Sequence, residues 1–170
     1  MVFEIVAHCY LLCVSSGSAI DRQSNNVSLF NLVEQINVPP GAPPPPRGLI
    51  PVEIHAYFQL SHALVQRDFE LRFALRAESG LETLSEVFRH RVTATRFRVR
   101  TLGLPYPPVL GQYSLQVDLR VLGERASGER MLGERLFGER MPGEEGAWQR
   151  QTAAWPLALY EIEQRPKVTH

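Results

Sequence analysis

Lysine, cysteine and long apolar runs are what this chain holds least of. Lys167 is the one lysine, set against 17 arginines. Basic and acidic residues balance at 18 each, for a net charge of zero. No bulk field therefore draws the chain toward nucleic acid or anionic lipid. Cys9 and Cys13 are the two cysteines. On one strand they stand about 13 Å apart, at ~3.3 Å per residue, too far for a bridge. Buried free thiols in a reducing cytoplasm are the expected state. No run of about 20 apolar residues is present, so no membrane-spanning helix is expected. Residues 2–19 imitate a signal peptide, but no Lys or Arg precedes the apolar run, and Glu4 and His8 interrupt it. Leu12 stands where lipoprotein processing needs a small residue. A buried first strand and a cytoplasmic location follow as expectations.

Catalytic motifs are also missing. The chain has no GxSxG elbow, no HExxH and no Gly-rich phosphate loop opening a helix. His8, His55, His62, His90 and His170 fall in no metal-ligand spacing. Neither a metal nor a cofactor is expected. His8 and His90 fall on inward parities and His55 on an outward one.

Alternation is what the chain has in plenty. Residues 50–60 alternate Val52, Ile54, Ala56, Phe58 and Leu60 with Glu53, His55, Tyr57 and Gln59. Residues 68–77 set Phe69, Leu71, Phe73 and Leu75 inward. Residues 112–121 do the same with Tyr113, Leu115, Val117, Leu119 and Val121. Period two over such lengths reads as half-buried strand. Residues 3–14 and 27–36 (VSLFNLVEQI) are apolar on both faces and read as strands covered on both sides. A last strand falls within 148–162, interrupted or edge-exposed at Pro156. The parity of 87–101 switches near Thr95, which predicts a β-bulge or a break between two strands. Residues 15–26 read as a polar loop, 61–67 as one helical turn and 79–86 as a loop.

Proline and glycine punctuate these runs. Six prolines crowd positions 39–46 and four fall in 105–142, which makes stiff connectors. Pro43, Pro44 and Pro45 are candidate partner contacts. The expected fold is all-β: one domain over residues 1–170, an antiparallel β-sandwich (Greek-key/Ig-like) of seven or eight strands with Pro-rich loops. A closed barrel is the alternative.

Residues 121–145 repeat a five-residue unit (VLGER, ASGER, MLGER, LFGER, MPGEE). An odd period flips sides of a strand at each copy and drifts around a helix. The expectation for 121–146 is a mobile hairpin loop expanded by duplication, with Leu132 and Phe137 as candidate partner anchors.

In the order and spacing of its strands the chain resembles a family of small bacterial proteins described only as a domain of unknown function. The resemblance is carried by Ala7-His8-Cys9, Asp21, residues 26–36, the prolines after Val38, Gly111-Gln112-Tyr113 and Pro156-Leu157. It spans nearly the whole chain except 121–146. It implies no activity and no site residue, and the long repeat departs from the family's usual short hairpin.

The charged candidates are Arg89, Arg91, Arg96, Arg98 and Arg100, in a span without acidic residues from 87 to 101. With a bulge near Thr95 they share one outward face, which could bind phosphate or carboxylate. Cross-strand pairing to Glu53, Glu70 or Asp118 is the competing fate of these arginines. The leading functional reading is a non-enzymatic interaction or scaffold module of a bacterial cytoplasm, with a protein partner. The first alternative is anionic-ligand or nucleic-acid binding through the arginine face. A hydrolase of unrecognised type stands last.

Overall fold

The computed structural model describes residues 7–24, 26–122 and 146–162. Ten strands run through them: β1 (Ala7–Ile20), β2 (Val27–Leu32), β3 (Gln35–Val38), β4 (Leu49–Leu60), β5 (Asp68–Ala77), β6 (Glu82–Leu84), β7 (Phe88–Arg91), β8 (Arg96–Pro105), β9 (Gly111–Val121) and β10 (Gln149–Glu161). They form two packed sheets, in the orders β2-β1-β4-β8 and β3-β10-β9-β5-β6, with β7 also on β5. The fold is a β-sandwich, not a closed barrel. The strand count exceeds seven or eight because three short edge pieces, β3, β6 and β7, lie in segments too brief for alternation to show. One pairing is parallel, β3 with β10.

The alternating segments fold as their pattern requires. Phe69, Leu71, Phe73 and Leu75 of β5, Leu115, Val117 and Leu119 of β9, and Ile54, Ala56 and Phe58 of β4 are buried in one core between the sheets. At ~25 cal/mol per Å² of apolar surface, this burial is the main force holding the sheets together. The Tyr113 hydroxyl donates to the Val109 carbonyl four residues upstream. That bond closes the Pro-rich turn into β9, as a tyrosine corner does in Greek-key sandwiches.

Residues 27–36 and 15–26 differ from their sequence reading, and two further positions settle an alternative that it left open. Residues 27–36 are not one doubly covered strand. β2 is the edge of the four-stranded sheet, and the chain then crosses to β3 at the edge of the six-stranded one. Left-handed Asn31 (φ 48°) lies just before the crossing. Val33 anchors it, its N–H donating to Val14 O and its carbonyl accepting from Trp155 Nε1 (2.8 Å). The run looked apolar on both faces because its two halves serve different sheets. The expected polar loop 15–26 is strand as far as Ile20. Its serine hydroxyls are spent within the fold: Ser16 donates to Phe30 O and Ser18 to Glu53. The parity switch near Thr95 is a break, since β7 and β8 lie in different sheets. Pro156 interrupts nothing. The Ala158 N–H points toward the β3 side, donating to Glu34 O, and so does the nitrogen two residues earlier. Pairing with β3 begins at Ala158, so the proline removes no ladder donor.

β9 and β10 pair antiparallel, so the GER repeat joins neighbouring strands. Residues 123–145, with Leu132 and Phe137, lie outside the described residues.

Candidate interaction face

The structure separates the five arginines. Arg89 and Arg91 belong to β7 in the six-stranded sheet, and Arg96, Arg98 and Arg100 to β8 in the four-stranded one. They form no common stripe, because the chain changes sheets where the parity switches, with Val92 buried at the crossing. Arg89 pairs with Asp68 (2.8 Å) and Arg100 with Glu53 (2.7 Å). Arg91, Arg96 and Arg98 form no ion pair among the described residues. Pro43 and Pro44 are exposed and Pro45 half-buried, in the crossover from β3 to β4.

The outer face of the four-stranded sheet is built in rows set by register. One row runs Leu32, Ser15, Glu53, Leu102. The next runs Cys13, His55, Arg100, and the third Leu11, Tyr57, Arg98. Phe30 opposes Gly17 beyond the first row. The rim of this face is apolar and exposed: Leu32 at 55%, Leu102 at 68%, with Leu11 and Phe30 also open. Its centre is polar and buried, with His55 and Ser15 at 0% and Glu53 nearly so. A solvated sheet face has the opposite arrangement.

Sequence parity placed His55 outward. It is on that face, yet fully buried, because Ser15 of β1 and Arg100 of β8 arrive around it from neighbouring strands and Glu53 from two residues along its own. Its Nε2 lies 3.1 Å from Ser15 Oγ and 3.3 Å from Glu53 Oε2. Ser15 Oγ donates to Gly17 O (3.1 Å). Glu53 also accepts from Ser18 (2.6 Å) and Arg100. Every neighbour of Nε2 is thus an acceptor, so the imidazole carries its proton there. Nδ1 is buried without a partner among the described residues. A serine nucleophile needs the reverse, a bare ring nitrogen facing the hydroxyl and a carboxylate on the other nitrogen. Ser15, His55 and Glu53 do not compose such a relay. They cross-link β1, β4 and β8. Cys9 and Cys13 are buried and free.

Burial holds His55 below its ordinary value against the pull of Glu53, and burial does the same to His90. His90 faces inward as expected, its ring tilted against Phe69 (5.8 Å) and edge-on to Phe97 (5.6 Å). His8, expected inward, is exposed, because a register shift between Cys9 and Leu11 resets the parity of β1. The two depressed histidines give a pH signature. The unfolded chain takes up their protons near 6.5 and the folded chain later. Stability is therefore full above that value and falls as pH drops through it toward the folded values. The urea midpoint should decline between about pH 7.5 and about pH 5.5, and His55→Gln/His90→Phe should flatten the decline. A native midpoint constant over that range would refute this account.

The outer face of the six-stranded sheet is different. Asp118, 2% exposed, receives Arg72 (3.1 Å) and Arg150 (2.8 Å). Arg150 also binds Glu82, and Arg120 binds Glu70 (2.6 Å). The guanidinium groups of Arg72 and Arg120 lie over the Trp148 ring at 4.4 and 4.6 Å, within cation–π range. Arg91 apart, the arginines of this face are matched by its own carboxylates.

Among the described residues no group of three His, Cys, Asp or Glu could hold a metal ion. No helix among them is long and apolar enough to cross a membrane. No family model, curated protein or solved structure matches the chain.

Proposed function

We propose that this chain is a non-enzymatic protein-interaction module that contacts its partner through the outer face of the four-stranded sheet. One observation carries the reading. Leu11, Phe30, Leu32 and Leu102 stand exposed on a single face whose polar centre, His55 Nδ1 apart, is already hydrogen-bonded within the fold. Water gains little from such a surface, and a covering protein would bury the leucines at about 25 cal/mol per Å². The cluster beneath supports the non-enzymatic part, since its hydrogen bonds hold Ser15 and His55 in structural roles. A bacterial cytoplasmic setting and the contribution of Pro43, Pro44 and Pro45 belong to the same proposal.

The test is affinity capture with the tagged chain and its Leu11→Ser/Leu32→Ser variant, with nuclease present. Both positions are exposed, so the variant should fold with stability within about 0.5 kcal/mol per site of the native value. A stoichiometric protein held by the native chain and lost from the variant is the expected result. Equal capture by both would remove this face from the proposal.

A further inference from the structure

The outer face ends at β8, and that strand carries a second property. β8 pairs with β4 along one side. Among the described residues no backbone hydrogen bond reaches its other side. From Arg96 to Leu102 its register with β4 is unbroken, Arg96 opposite Gln59 through Leu102 opposite Glu53. The other edges are shorter. β3, β6 and β7 have four, three and four residues, and β2 has six with left-handed Asn31 inside it. Among the described residues β8 is the one edge able to template a long partner strand, because its free N–H and C=O groups repeat regularly over seven positions.

Charge decides what that partner is. Arg96, Arg98 and Arg100 alternate on the outer face, each two residues from the next, while Val99 and Thr101 are buried on the other. The strands of this sheet hold those three arginines against Glu53 as their one acid. Glu53 is engaged by Arg100, so the unmatched charge sits at Arg96 and Arg98. These two, with Tyr10, Tyr57 and Phe97, line an open groove of about 310 Å³. The Tyr10 and Tyr57 rings lie 6.2 Å apart. Residues directly opposite on neighbouring strands interact, and like charges there are destabilising. A second copy of β8 laid antiparallel over the arginine row sets arginine opposite arginine, so self-pairing is disfavoured. A strand with carboxylates at alternate positions meets the same row favourably.

We infer that the partner's contacting segment is an extended acidic strand, with Glu or Asp at every second position, that adds to the free edge of β8. This rests on the interaction-module reading and names its partner chemistry. Main-chain bonds to β8 would supply affinity. Arg96 and Arg98 would select the acidic residues, and Leu102 would take an apolar one beside them.

The probe is the labelled peptide acetyl-Thr-Glu-Val-Glu-Val-Glu-Thr-amide, titrated against the full chain by fluorescence anisotropy. A control of the same composition has its glutamates adjacent, and a second replaces them with lysine. Hydrogen exchange of the full chain is followed with and without the probe. The alternating acidic peptide should bind most tightly and slow exchange within β8. Arg96→Ser/Arg98→Ser should weaken binding about tenfold or more, as loss of two charge-assisted contacts requires. Arg96→Lys/Arg98→Lys should keep most of it, since lysine retains the charge. Equal affinity for the two acidic peptides, or binding without protection of β8, would overturn the inference. So would a single-stranded oligonucleotide binding where the peptide does not, which would turn the arginines toward nucleic acid. Failure here is separable from failure of the broader reading. Capture lost on Leu11→Ser/Leu32→Ser, with no binding of the acidic peptide, keeps the interaction face and removes the acidic strand alone.

Discussion

Phe69→Ala is expected to cost about 3–5 kcal/mol of folding stability, the largest effect of any single truncation in this core. Phe69 comes from β5 in the six-stranded sheet and is 2% exposed. Its ring meets Phe97 of β8 edge-on at 5.2 Å, and Phe58 of β4 at 6.4 Å, both from the opposite sheet. It also packs near His90 of β7. One side chain therefore joins both layers at the point where the chain passes from β7 to β8. Truncation loses the buried area, the aromatic pairs at about 0.5–1.5 kcal/mol each, and leaves a cavity that two sheets cannot both close. Against a total of about 5–15 kcal/mol for a domain, the loss should shift the urea midpoint strongly with the slope unchanged. Phe30→Ala is the contrast. Phe30 lies on the exposed edge strand β2, and its removal should cost under about 1 kcal/mol. Similar costs at the two positions would mean that Phe69 does not join the sheets. The position also bears on function, because Phe97 stands between Arg96 and Arg98 and its contact with Phe69 fixes the strand that carries them.

The parts of this fold legible in the sequence are those fixed by local alternation. Phe69 to Leu75 and Tyr113 to Leu119 point where their parity says, because each strand faces one core and one exterior throughout. His90 obeys the same rule. Legibility fails where a residue's surroundings come from elsewhere in the chain. His55 has outward parity, but Ser15 is 40 positions away and Arg100 45, and nothing near His55 announces them. The arginines at 89–100 look continuous, yet a four-residue crossing divides them between two sheets. Residues 27–36 carry the same ambiguity. Hydrophobicity on both faces signals either one strand covered twice or two half-strands covered once each, and composition does not separate these cases. Asn31 was the available signal, since Asn adopts the left-handed conformation more readily than most residues. The apolar rim of the candidate face was hidden for a similar reason. Leu11, Leu32 and Leu102 are distant in sequence and become neighbours through the register of β1, β2, β4 and β8.

Asp118→Ala should be the most damaging change outside the apolar core, at about 3 kcal/mol, the lower end for removing one partner of a buried ion pair. The lower end applies because Arg72 and Arg150 keep side-chain exposures of 25% and 30% and can partly rehydrate. Burial alone would raise the Asp118 carboxyl, but the hydrogen bonds and charges of Arg150 and Arg72 more than offset it, so the group stays below the ordinary carboxylate range. Its stabilisation is then present above the unfolded value near 3.8 and is lost as pH falls through the folded one. The native and variant chains should differ most at neutral pH and converge in acid. A gap in urea stability that stays constant from about pH 7 to about pH 3 would show that packing, not charge, holds Asp118 in place. The same substitution probes why an acidic strand would choose β8. Arg72 and Arg150 are matched by Asp118 and Glu82, and Arg120 by Glu70, so, Arg91 of the short strand β7 apart, the six-stranded sheet offers an anion little that it does not already hold. Without Asp118 that face gains unmatched cations, and the acidic probe should acquire a second, weaker site there. Selectivity for β8 in the native chain would then arise from the carboxylates of the opposite sheet as much as from the arginines of its own.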